Sequence, residues 1–527
     1  MDLGRRAFLR GLGGLAGCGP LAGAPAQAGV YDARESGATG DGKTLDTVPI
    51  EQAIQKIAAL GGGVLHFPAG EYLTGTIALR TNVTLDLAAG AVIRASGNRA
   101  DYRHSCLIYA EDAVNAAIRG RGTIDGNGQA VWRREGGRWR TGEWRPGRMM
   151  QFVRCENLLL EGFTARNSPA WTIHPVDCDR LTIQGISILN GLDSETHGPN
   201  TDGIDPDGCT RVRISGCYIQ SGDDSIVLKI TNRPGGNRYC RDVTVTNCVL
   251  VTRETALKIG SESYGEFRNI SFSNCAVRDA GCGVGLWMRD GGAIEGWTVN
   301  NISMTLSGGG QPVYMTSYPR SRLPEPGARR EEERPPGTVR SILISNVTAV
   351  ADGCIFLCGM QEKPLEGVVL DNISIRMTGG RTKKLHDDPP YPFPVWGHRQ
   401  SPYDVYCRYV DDLKLRKIRI TWGTPEKPEW GSAIRCRDVS NLEIDGFNGR
   451  QALGSDAPVI SLAGAKHVYI HDCWAADGAG DFVRLGPGTS DVALMNNNLN
   501  RAGNPAIFDP SVGRGELFES GNRPRRE

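Results

Sequence analysis

Short segments that alternate apolar and polar residues, each closed by Asn, Gly or Cys, recur between about residue 83 and about residue 500. NVTLDLAAG, DRLTIQGISILN, TRVRISGCYIQ, RDVTVTNCVLV, RNISFSNCAV, RSILISNVTAV and HVYIHDC are examples. A period of two marks a strand with one buried face. Successive starts through the middle of the chain lie roughly 22 to 31 residues apart, the length of one solenoid coil. That period is too long for hexapeptide coils, and the repeats lack the paired helices of helical solenoids and the repeated Trp-Asp of propellers. The pattern therefore predicts an all-β fold, a single-stranded right-handed parallel β-helix.

Coils of this kind stack at about 4.8 Å, so residues one period apart become neighbours. Thr47 to Leu60, TVPIEQAIQKIAAL, carries apolar residues at helical spacing ahead of three glycines and is expected to cap the N-terminal opening. Two stretches break the period and are expected to be long side loops: a charged, Pro-rich one around 317 to 340 and another around 381 to 404. The second carries Tyr391, Phe393, Trp396 and His398, which suit either the wall of a cleft or an aromatic-anchored surface loop.

Residues 1–28 read as an export signal of the twin-arginine type, with Arg5-Arg6, a Gly/Ala/Leu run and Ala26-Gln27-Ala28. This places the protein in the periplasm or outside the cell. Leu15-Ala16-Gly17-Cys18 offers the rival of a lipid anchor at Cys18. A β-helix catalytic domain over 29–515 and a polar C-terminal tail over 516–527 complete the expected organisation. No later stretch is long and apolar enough to span a bilayer. Lys plus Arg (60) nearly balance Asp plus Glu (59), so no global charge argues for nucleic acid or a membrane surface, and a monomer is expected. The phrases SGC, TNC and SNC, at Cys217, Cys248 and Cys275, suggest stacked core thiols that are mostly free.

The segment NTDGIDPDGCTRVRISGCYIQSGDDSIVLK sets Asp202 against Asp223 and Asp224 at a separation of about one coil. Strands accommodate Asp poorly, and like charges on neighbouring rungs raise one another's pKa, so such a cluster needs a compensating reason. Glycoside hydrolysis is one: one carboxyl stays protonated to donate to the leaving oxygen while another activates water or attacks the sugar. A calcium site is another, with Asp205 and Asp207 close by in sequence. Turn aspartates bonded to their own backbone are the third.

Several ordered segments resemble glycoside hydrolase family 28, the polygalacturonase family of the pectin-lyase-like superfamily. They are YDARESGATGDGKTLDT, GGGVLHFPAGEYLTGTIALRTNVTLDL, GRGTIDGNG with Trp132, NSPAWTIHPVDC, NTDGID, GDDSIVLK and IGSES. The resemblance implies Asp223 as general acid, Asp202 and Asp224 as the pair that positions and activates water, Asn200 as an orienting residue and no cofactor. Lys229 then either holds a substrate oxygen or neutralises the aspartates. Thr255 stands where many members have a histidine, with Lys258 and Glu262 nearby, and Trp287 and Arg289 replace the arginine and lysine of the family's Arg-Ile-Lys.

Trp287 suits stacking on a sugar face or simple packing. Lys229, Lys258 and Arg289 follow at one-coil steps and are expected to form a basic ladder that binds a uronate or balances the acids. His174 and His197 are candidates for substrate hydrogen bonds, and Tyr314 and Tyr318 for the cleft border. The implied activity is inverting, exo-acting hydrolysis of α-glycosidic bonds in pectic oligosaccharides of galacturonan or rhamnogalacturonan type. The alternatives are a calcium-dependent polysaccharide lyase on the same fold and a non-catalytic carbohydrate-binding solenoid.

Overall fold

The structure, a computed structural model, describes residues 29–193, 195–306, 308–322, 334–378, 401–423 and 430–524. The chain winds as a right-handed parallel β-helix whose strands pair in parallel from coil to coil. One inward row shows how the alternation becomes a core. Leu65, Leu85, Ile118, Leu160, Ile183, Ile214, Val245 and Phe272 lie one above the next, followed by Val299, Ile344, Leu370, Leu415, Ile444, Ile470 and Leu494. Every member is buried, and burying one such side chain is worth about 1.5–3 kcal/mol. The row stops where exposed Glu519 follows Leu494. Leu517–Ser520 and Arg523–Pro524 still pair with the coil below, so the boundary expected at residue 516 falls at the edge of a coil; the segment that follows is polar yet carries strands.

The turns explain the Asn in the repeated phrases. Asn247, Asn274, Asn301, Asn346 and Asn372 hold left-handed backbone near φ +55°, which Asn tolerates better than most residues. Their amides bond up the stack: Asn301 Nδ2 donates to Asn274 Oδ1 at 3.1 Å, and Asn372 Nδ2 to Asn346 Oδ1 at 2.6 Å. Cys248 and Cys275 are buried just beyond two of these turns and Cys217 just beyond the Gly216 turn, and the fourteen cysteines among the described residues are buried free thiols.

The helix Thr47–Ala59 covers the N-terminal opening, as the apolar spacing predicts. Ile50, Ala53, Ile54 and Ile57 face the core, and the chain leaves the helix through Gly61 and Gly62, both with positive φ. Buried Glu51 on the same helix accepts from Ala78 N and pairs with Arg103, tying the cap to the coils beside it. Residues 323–333, Tyr391, Phe393, Trp396, His398 and the 1–28 segment with Cys18 lie outside the described residues. Among the described residues no helix is long and apolar enough to cross a membrane.

Candidate active site

One stack of strands departs from the aliphatic rule. It runs through Trp171–Val176, Ile226–Ile230, Thr255–Ser263, Cys282–Met288 and Gln311–Ser317. Between its first two members, residues 200–207 pass as an irregular rung, bridged at Ile173↔Ile204↔Ile226 and Val176↔Asp207↔Lys229. Gly203 N donates to Asp224 O at 2.9 Å and Gly222 N to Thr201 O at 3.2 Å, which locks this rung onto the next. A Cβ on Gly203 would stand 2.3 Å from Ser225 O, so only glycine permits so close an approach. This contact brings the aspartates together: Asp202, Asp223 and Asp224 each offer a carboxylate oxygen within 4.8 Å of the others'.

These carboxylates line a pocket of about 380 Å³ together with Asn200, Lys229, Lys258, Glu262 and Trp287. All eight of these were singled out in the sequence. The same wall includes Trp171, Glu254, Thr255 and Ser261. Asn200 sits in the left-handed region at φ +56°, and its Oδ1 accepts from Arg145 Nη2 at 2.9 Å.

Two lysines compensate the acids. Lys258 Nζ lies 2.6 Å from Asp224 Oδ2, while Thr255 N donates to Oδ1 of the same carboxylate at 3.1 Å. Lys229 Nζ, 4% exposed, lies 3.0 Å from Asp205 Oδ1, 3.5 Å from Asp202 Oδ2 and 3.4 Å from the centre of the Trp171 ring. Burial opposes its charge, but Asp205 and Asp202 outweigh that and push its pKa up. Burial first, then Asp202 and Asp224, raise Asp223 to about 8. Burial and Asp205 likewise push Asp202 up, and burial raises Asp205 to about 6. Glu262 is held low despite burial, by Lys229, Arg320 and Lys258. The cluster therefore favours a protonated carboxyl at Asp223 beside Asp202 and Asp224, whose oxygens face the ammonium groups of Lys229 and Lys258, a geometry that suits proton donation together with water activation.

Three expectations need correction. The basic ladder does not form: Lys258 pairs in register with Val227 and Gly285, and the register shifts before Lys229 finds its partner rung. Arg289 follows the end of its strand and is buried away from the pocket, its N donating to Ser263 Oγ at 2.9 Å and its Nη1 to Thr316 O at 3.5 Å. His174, 5% exposed, lies outside the aspartate pocket. It accepts from Arg148 Nε at 2.9 Å and faces Asp207 Oδ2 at 3.4 Å in a separate hollow. Burial pushes its pKa down to about 4, which makes it a structural link between Arg148 and Asp207. Asp207 itself stays well below the usual carboxylate range: burial raises it, but hydrogen bonds with His174 and Arg233 prevail.

Tyr314 does not border the pocket. It is fully buried in a column with Phe356 and Tyr406, centroids 5.2 and 5.1 Å apart. Trp287 caps that column 5.0 Å from Tyr314, and a Cβ on Gly285 would collide with its indole at 2.2 Å. Lys258 Nζ lies 4.6 Å from the Trp287 ring centre. His197 lines a neighbouring hollow, its Nε2 2.8 Å from Gly222 O. Trp171 escaped sequence reasoning as a pocket residue; its one signal was position, a single coil below Asp202.

A family model described as Glycosyl hydrolases family 28 matches residues 63–389. A probable polygalacturonase from Vitis vinifera is 30% identical over 297 residues, covering 51% of this chain and 59% of that relative. The chain thus spans about three fifths of that relative's length. Among solved structures, a family 28 exopolygalacturonase from Yersinia enterocolitica superposes with a TM-score of 0.58 at 19% identity, over 80% of this chain and 79% of that one. A hyperthermoactive exopolygalacturonase from Thermotoga maritima gives 0.55 at 24% identity, over 67% and 88%.

Proposed function

The chain belongs to glycosyl hydrolase family 28, and from that premise we propose that it hydrolyses α-glycosidic bonds of pectic oligosaccharides. The observation that carries this reading is the pocket in which Asp223, raised to about 8, stands beside Asp202 and Asp224. Asp223 donates its proton to the leaving glycosidic oxygen. Asp202 and Asp224 hold and deprotonate the attacking water, steadied by Lys229 and Lys258. Trp171 and Trp287 present ring surface to the sugar, whose C–H face suits an aromatic plane. Exo action on galacturonan or rhamnogalacturonan belongs to the same proposal; relatives named exopolygalacturonase support it.

Inversion is the stereochemistry that the family resemblance implies. The carboxyl groups approach one another more closely than the about 6.5–9.5 Å of a generic inverting pair, which favours direct attack by a carboxylate as a second reading. The first-formed anomer, followed by proton NMR, separates the two. A calcium-dependent lyase would need these oxygens for the metal, but Lys229 and Lys258 already occupy the sides of Asp202, Asp205 and Asp224.

The test is product analysis of the purified protein on a panel of pectic oligosaccharides, following reducing ends and ultraviolet absorbance with and without chelator. Saturated products at chelator-insensitive rates are expected. Unsaturated, calcium-dependent products would replace hydrolysis with elimination, and binding without turnover would replace it with a carbohydrate-binding solenoid.

A further inference from the structure

A second hollow of about 380 Å³ adjoins the aspartate pocket and inverts its charge. One wall is an antiparallel hairpin, Trp132–Glu135 and Arg138–Thr141. It is fastened to the 195–199 loop by the Arg134–Glu195 pair and by Trp139 Nε1 donating to Glu195 O at 2.6 Å. Arg138 and Arg140, two residues apart on one strand, line the hollow with Trp139, His197, Pro199 and, from the far wall, Arg253. All three arginines are exposed. Among the described residues, no carboxylate lies within ion-pairing distance of any of their guanidinium groups, although neighbouring Arg133 and Arg134 on the same hairpin are both paired.

The two hollows share a border in sequence and in space. Pro199 and Arg253 line the arginine side, and their chain neighbours Asn200 and Glu254 line the aspartate side. His197 Nε2 sits 2.8 Å from Gly222 O, one residue before Asp223. The aspartate pocket holds five acidic and two basic side chains, and both of those lysines are engaged by its own carboxylates. The arginine hollow, one step away, offers what an anionic ring needs: planar donors that grip a carboxylate in pairs and an indole that takes the sugar face.

We propose that the hairpin hollow is a second saccharide subsite that takes a uronate unit of the substrate, its carboxylate held by Arg138, Arg140 and Arg253 and its ring set against Trp139. This rests on the carbohydrate reading of the aspartate pocket and extends it to a neighbouring sugar. The division of charge lets one chain place a ring among the carboxylates and a charged neighbour on the arginines.

The test is calorimetric binding of trigalacturonate, and of its carboxyl-reduced counterpart, to full-length protein carrying Asp223→Asn to stop turnover. Adding Arg138→Ala, Arg140→Ala and Arg253→Ala is expected to weaken trigalacturonate binding by about tenfold or more and to flatten its salt dependence. Binding of the reduced trisaccharide is expected to stay unchanged. Equal trigalacturonate affinity in both proteins, an equal loss for both ligands, or no binding of trigalacturonate at all would overturn the subsite. Should the triple variant melt early, Arg253→Gln alone, which keeps a long polar side chain, is expected to show the same ligand-selective loss. A selective loss in a protein that hydrolyses nothing would keep the subsite and sink the catalytic reading.

Discussion

The row from Leu65 to Leu494 and the rung from Asp202 to Lys229 are products of the same repeat, yet they obey opposite rules. In the first, fifteen coils put an aliphatic or aromatic side chain on the same column, and no single coil is special. In the second, Asp202, Asp205, Asp207 and Lys229 are nearly inaccessible to water within one coil of one another. Stability in the row is a sum of similar increments. At the rung it depends on pairing, because an uncompensated buried charge costs far more than a missing methylene returns. A solenoid can therefore gather chemistry on two or three coils while the remaining coils hold the shape.

That contrast is sharpened most by removing a counter-charge. Lys229→Met leaves Asp202 and Asp205 without their ammonium and is expected to cost about 3–5 kcal/mol of stability near neutral pH. Thermal melts across pH check this: the loss shrinks in acid, where both carboxyls take up protons. A deficit that is the same at every pH would contradict the pairing. Ile214→Ala, in the middle of the aliphatic row, should cost about 2–5 kcal/mol by cavity formation, with no dependence on pH. Urea midpoints at acid and neutral pH distinguish the two kinds of loss.

The pH profile of turnover gives a smaller effect. A general acid must be protonated, and Asp223 titrates at about 8, so kcat/KM should fall about tenfold per unit once pH rises well above that value. A profile that keeps climbing past pH 9 would remove Asp223 from that role. The least change is expected on the exposed turns: Asn301→Gly keeps the positive φ, deletes one rung of the amide ladder and should cost about 1 kcal/mol or less, read from the melting temperature.

Much of this was legible in the chain. Period-two alternation closed by Asn or Cys declares a coil, because only one face of each strand is buried and each turn needs a residue that accepts positive φ. The aspartates were legible for the related reason that one period brings Asp202 to Asp223 and Asp224. The register was not. Lys229, Lys258 and Arg289 are evenly spaced in sequence, but a shift between Leu228 and Ile230 sends Lys229 to Asp205 and leaves Arg289 buried beyond its strand. His174 falls one coil from the site and still bonds to Arg148 and Asp207 in another hollow. The hairpin was hidden because WRREGGRWRT, rich in Arg and Gly, carries neither the alternation nor the spacing of a coil.

Asp223→Asn on the full chain, assayed by product release from pectic oligosaccharides alongside a thermal melt, tests the central claim most directly. The substitution keeps the shape of the side chain and removes its transferable proton. Turnover should fall by about 10²–10⁴-fold, and the melting temperature should hold or rise, since folding no longer has to protonate a carboxyl crowded by Asp202 and Asp224. Unchanged turnover with an intact fold would show that the aspartate cluster is not the catalytic apparatus.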